Sequence, residues 1–133
     1  MKNILLILLF SLPFFGFVSD SSVPKDEQFR MDYRYVSIYT EKTGKWSKWK
    51  EGSNTFVFNC NDRNDIMHLK AGGQNVIYKK ISAIKEGKTD SGETYQTLDA
   101  IDEDGIRFSL YLYGDDEIGL KISYSNLSIQ FAN

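Results

Sequence analysis

The stretch Gly44-Lys45-Trp46-Ser47-Lys48-Trp49-Lys50 carries both tryptophans of the chain among three lysines. An indole offers an apolar face and a polar edge, so the chemistry here is contact: an aromatic platform for a sugar ring or an amphipathic ligand, with ammonium groups at its rim. Trp46 and Trp49 are an odd number of positions apart, so a regular strand would face them to opposite sides and only a turn brings them together. The plainer alternative has one indole capping a barrel end and the other partly exposed. Tyrosines form the second contact set. Tyr33, Tyr35 and Tyr39 alternate along one segment and are expected on one face, while Tyr111 and Tyr113 lie opposite Phe108 and Leu110. Clustered, they would bind sugar or protein; spread out, they are amphipathic cover. The candidate ligand-binding residues are therefore Trp46, Trp49, Tyr33, Tyr35, Tyr111 and Tyr113.

Bond-making chemistry finds less support. Cys60 and His68, the lone cysteine and lone histidine, flank Asn61-Asp62-Arg63-Asn64 and invite a nucleophile and base reading. A four-residue turn would set Cys60 opposite Asp65 and Val57 opposite His68, placing the thiol beside Phe58, Met67 and Leu69 and the imidazole on the other face. Cys60 then becomes a buried structural thiol. One His and one Cys are too few for zinc. Asp102 and Asp104, Asp115 to Glu117, and Asp62 with Asp65 are oxygen-rich turns of a calcium-compatible kind, but they lack the further ligands of an EF-hand loop and are expected to be solvated hairpin tips. The acids cluster in turns rather than facing one another across a cleft, and there is no Gly-x-Ser-x-Gly elbow, P-loop or dinucleotide fingerprint. No enzyme, cofactor or metal is expected; a carboxylate-dependent hydrolase is the catalytic alternative.

Beyond residue 22 the apolar period is two rather than 3.6. Ile106, Phe108, Leu110, Leu112, then Ile118, Leu120, Ile122, Tyr124, then Leu127, Ile129, Phe131 predict the last three strands. Met31–Thr40, Thr55–Cys60, Asp65–Lys70, Asn75–Ile84 and Glu93–Ile101 complete about eight, with Trp46–Lys50 as a ninth. Thr43-Gly44, Gly72-Gly73, Asp90-Ser91-Gly92, Asp102 to Gly105, Gly114 to Asp116 and Ser125-Asn126 are turn chemistry, and connections this short force antiparallel neighbours. The fold class is all-β: an antiparallel meander that forms a small barrel or a two-sheet sandwich. The one place for a short helix after residue 22 is Lys25–Met31.

Gly44-Lys45-Trp46 resembles the Gly-x-Trp signature that lipocalins carry on their first barrel strand. The resemblance spans three residues and implies an eight-stranded ligand barrel whose bottom the tryptophan helps to close. Here a whole strand, Met31–Thr40, precedes it.

Lys2, the fifteen-residue apolar run Ile4–Val18 and the polar Ser19-Asp20-Ser21-Ser22 have the layout of a signal peptide. As a helix the run reaches about 22 Å, short of the roughly 30 Å hydrocarbon core. Residues 1–21 are expected to be a signal helix removed between Asp20 and Val23, and residues 22–133 a single all-β domain that meets a membrane only through that segment. No cysteine lies near the junction to carry a lipid, and a single cysteine allows no internal disulfide, which fits a bacterial periplasmic, cell-surface or secreted protein. Ser22–Lys88 holds thirteen Lys/Arg against eight Asp/Glu, and Thr89–Asn133 two against nine. The halves are expected to be neighbouring strands that attract. No basic stripe suggests nucleic acid. The expected function is a non-catalytic binding module for a protein, a glycan or a small amphipathic ligand; the alternative is a structural or inhibitor-like envelope protein.

Overall fold

A computed structural model describes residues 26–133, and the expected signal segment lies outside the described residues. Ten strands follow one another: β1 Phe29–Thr40, β2 Lys45–Trp46, β3 Lys50–Phe58, β4 Ile66–Leu69, β5 Asn75–Lys80, β6 Lys85–Lys88, β7 Thr94–Ile101, β8 Arg107–Tyr113, β9 Leu120–Ser123 and β10 Leu127–Ala132. Eight of them pair in the ring β1-β3-β4-β5-β7-β8-β9-β10, antiparallel at every step, and β10 closes on β1 from Tyr35↔Ala132 to Thr40↔Leu127. The barrel, not the sandwich, is therefore the fold. β2 extends the wall beside β1, and β6 beside β7. There is no helix among the described residues; where a short one fitted the sequence, β1 begins at Phe29.

Alternation decides which side chains point inward. Met31, Phe56, Ile66, Tyr78, Leu98, Leu110, Ile122 and Phe131 are buried and belong to one core. Rings meet across the lumen from strands that are not neighbours: His68 on β4 lies 5.4 Å from Phe131 on β10, and Tyr78 on β5 lies 5.0 Å from Phe108 on β8. An eight-stranded barrel is just wide enough for side chains to fill or for one small ligand to occupy. Here aromatic side chains fill it.

Two local irregularities reverse expected faces. Pairing between β1 and β3 shifts between Tyr33↔Asn54 and Tyr35↔Glu51, so Tyr33 and Val36 both pack into the core and Tyr35 turns outward. The three tyrosines of β1 therefore do not share a face. At the β3–β4 connection, Asn59 (φ 59°) and Asn64 (φ 60°) both adopt the left-handed conformation, which asparagine tolerates better than most residues. The strand consequently ends at Phe58, which pairs with Ile66, and His68 falls opposite Phe56 rather than Val57. That one-residue slip carries the imidazole into the core.

Gly119, between β8 and β9, has φ +78°, and a Cβ there would lie 1.9 Å from the Phe131 carbonyl oxygen. Gly73 has a similar φ of +89° with open space around it. Gly119→Ala is expected to lower the urea-unfolding free energy by about 3 kcal/mol or more, and Gly73→Ala by only about 1–2 kcal/mol. Equal losses would show that contact with β10 is not what Gly119 protects.

Candidate functional site

The tryptophan segment follows a tight reversal at the end of β1. Thr40 O accepts the Gly44 N–H at 2.9 Å and Gly44 takes φ +66°, reversing the chain into β2. Ser47 then fastens the segment to β1: its N–H donates to Ile38 O (2.7 Å), its hydroxyl accepts the Ile38 N–H (3.0 Å), and Ser37 Oγ donates to Ser47 O (2.7 Å). The segment is held, yet every residue from Glu41 to Glu51 is exposed.

Trp46 is 43% and Trp49 is 49% exposed, unusually high for indoles on a well-packed domain. Trp46 leans on Tyr39 (ring centroids 5.5 Å apart) and borders a cleft of about 360 Å³ with Ile38, Thr40, Thr43 and Lys45. Trp49 borders a separate cleft of about 400 Å³ with Tyr35, Glu117, Ala132 and Asn133. The Asn133 side chain is already fixed, accepting the Arg34 N–H and donating to Asp32 O, each at 3.0 Å. The Arg34 guanidinium lies 5.7 Å from the Tyr35 ring centre, where a cation is attracted to the ring face. The Trp46 cleft thus joins apolar, hydroxyl and ammonium side chains, and the Trp49 cleft joins two aromatic rings with polar groups at the rim.

The remaining predicted residues divide. Tyr111 and Tyr113 do cluster on the outer wall (6.5 Å), joined by Tyr95 at 5.4 and 5.5 Å, with the Lys121 ammonium 5.9 Å from both rings of the predicted pair. Burial, then the neighbouring Tyr111 and Tyr95, push the Tyr113 hydroxyl above its usual range. The Tyr95 ring lies against Gly87, where no Cβ would fit. Tyr95 was not singled out in the sequence, although its outward position follows from the Gln96, Leu98, Ala100 alternation. Tyr33 is removed from any binding face. It is buried, its hydroxyl has no hydrogen-bond partner among the described residues, and burial first and Asp116 second raise its pKa.

Inside the barrel His68 is 4% exposed, stacks on Phe56 at 4.1 Å, and spends both ring nitrogens on buried partners. Nδ1 lies 2.8 Å from the Tyr78 hydroxyl and Nε2 lies 2.8 Å from Asn54 Oδ1. Because Asn54 Oδ1 only accepts, Nε2 carries the proton and Nδ1 accepts from Tyr78. Burial and the Lys70 ammonium push the imidazole down to about 4, and burial with Asp102 and Glu103 pushes the Tyr78 hydroxyl up to about 12. No ring nitrogen remains for the Cys60 thiol.

Carboxylates are committed as acceptors. Asp102 Oδ1 takes the Asp104 and Ile106 N–H groups and Oδ2 takes the Tyr124 hydroxyl; burial alone would raise its pKa, but these hydrogen bonds outweigh it and hold the group below the usual range. Asp99 is held low by Arg107 and Ser109, and Asp32 by Thr55 and Arg30. Asp115 Oδ1 accepts the Glu117 N–H. Among the described residues no three His, Cys, Asp or Glu side chains converge as a metal site.

The neutral His68 gives stability a pH dependence of known sign. Its folded pKa of about 4 lies below the unfolded 6.5, so the unfolded chain binds the extra proton between those values. The stability is complete above pH 6.5 and falls through that window by up to about 3 kcal/mol, levelling below pH 4. Urea unfolding from pH 7.5 to 4 should show this slope, and His68→Gln, which does not titrate, should lose that part of it. A slope unchanged in the variant would place the titration elsewhere.

Gly44-Lys45-Trp46 occupies the outer lip of the β1–β2 hairpin, so Trp46 does not close the barrel bottom as the lipocalin likeness implied. No protein-family model, curated protein or solved structure matches the chain.

Proposed function

We propose that this chain is a non-catalytic binding module, exported as its leader suggests, that engages its partner with the outside of the barrel through Trp46 and Trp49. One observation carries the reading: the lumen is filled with the chain's own side chains, while its only two tryptophans stand in water beside shallow clefts. Holding two indoles about half exposed costs hydrophobic free energy that the fold would recover by burying them. A partner presenting a sugar ring, a polypeptide or an amphiphile would supply that burial. The low pKa values of Asp32, Asp99 and Asp102 support contact over proton transfer, since a general acid needs a raised one.

Chemical-shift mapping with a linear glucan oligosaccharide, an unfolded polypeptide and a zwitterionic detergent micelle tests it. At least one probe should shift amides of Ile38–Lys50, with Tyr35 and Glu117, and leave Leu110 and Ile122 unmoved. Trp46→Ala with Trp49→Ala should weaken that binding about thirty-fold or more, with little change in thermal unfolding, because both side chains are exposed. Shifts centred on Leu110 and Ile122, or undiminished binding by the double variant, would overturn the reading.

A further inference from the structure

An antiparallel meander keeps sequence order around the barrel, so charge divided along the chain becomes charge divided in space. Strands β1 to β6 with their turns, Asp26–Lys88, bear twelve Lys/Arg against eight Asp/Glu; β7 to β10 and their turns, Thr89–Asn133, bear two against nine. The halves approach each other at a few points, Lys85 near Asp99 and Lys70 across a small cleft from Asp102, Glu103 and Asp104. The ion pairs among the described residues, Arg30–Asp32 at 2.9 Å and Arg107–Asp99 at 2.6 Å, each stay within one half. The barrel therefore has a basic side and an acidic side.

The tryptophan segment belongs to the basic half of the sequence and lies near the β10–β1 seam, where Glu117, Ala132 and Asn133 border the Trp49 cleft. Lys42, Lys45, Lys48 and Lys50 alternate with the indoles, all exposed and none in an ion pair among the described residues, against Glu41 and Glu51 in the same stretch and Glu117 across the Trp49 cleft. Beside Trp46, Ile38 adds an apolar side chain that is 41% exposed. Indoles favour the headgroup level of a bilayer, where the ring is half apolar and half wet, and lysine can bury its stem while its ammonium meets phosphate. Lysines near an anionic leaflet and apolar side chains at its surface reinforce one another.

We propose that residues 38–51 dock the basic side of the barrel onto an anionic bilayer surface, with Trp46 and Trp49 at the headgroup level and the acidic half facing away. This rests on the outer-wall reading above and goes beyond the expectation that only the leader meets a membrane.

Because Trp46 and Trp49 are the only tryptophans, emission from the full chain reports this segment alone, whatever Ile4–Val18 does. With phosphatidylglycerol-rich vesicles carrying brominated acyl chains, both indoles should shift to the blue and be quenched. Phosphatidylcholine vesicles should give much less, and added salt should reverse the difference. Lys48→Gln and Lys50→Gln should each lower the ratio of quenched to unquenched indole about five-fold. Unquenched emission on phosphatidylglycerol overturns the proposal. A blue shift with heparin but none with those vesicles also overturns it, assigning the surface to an anionic glycan and leaving the outer-wall reading intact. Silence towards these probes and towards the oligosaccharide, polypeptide and micelle sinks both.

Discussion

Closure of β10 on β1 is the constraint from which the remaining features follow. Six residue pairs, from Tyr35↔Ala132 to Thr40↔Leu127, join the last strand to the first and leave the eight-stranded ring no open edge. Once closed, the ring has a fixed and narrow interior, and the side chains must fill it. Phe131 on β10 meets Phe56, Tyr33 and His68 from three other strands. Fully burying such a side chain contributes about 1.5–3 kcal/mol, so core and closure stabilise one another. Gly119 guards the other side of β10, the side that faces β9, because a side chain there would strike the Phe131 carbonyl.

A filled interior leaves the outer wall as the surface for the binding proposed above. The same closure fixes what that wall looks like, since a meander without crossovers sets the basic first half of the sequence on one side and the acidic second half on the other. Attraction between neighbouring strands operates only at the two seams, and at the β10–β1 seam β10 itself carries no charge. The buried polar network of His68, Asn54 and Tyr78 is satisfied internally.

The eight strands of the ring were legible because hydrophobic alternation is local, and the Gly, Asn and Asp turns stood where hairpins require them; β6, Lys85–Lys88, has no apolar alternation and was not. Barrel and sandwich were not distinguishable, since both use the same alternation and differ only in whether the last strand reaches the first. Register was the least legible feature. A left-handed Asn59 lengthens the turn before β4 and moves His68 to the inner face, and the shift between Tyr33 and Tyr35 separates residues that simple alternation places together. Neither follows from residue type alone. The exposure of Trp46 and Trp49 agrees with their odd spacing amid lysines. Tyr95 escaped notice because its place beside Tyr111 and Tyr113 depends on the β7–β8 register, Tyr95↔Tyr113.

A lumen filled by the chain's own side chains, with both indoles outside it, can be tested by proton relaxation enhancement from a soluble, uncharged gadolinium chelate. Strong broadening is expected at the Trp46 and Trp49 indole N–H signals and none at the methyl groups of Leu110 and Ile122. Broadened methyl signals at Leu110 and Ile122, or protected indoles, would contradict it.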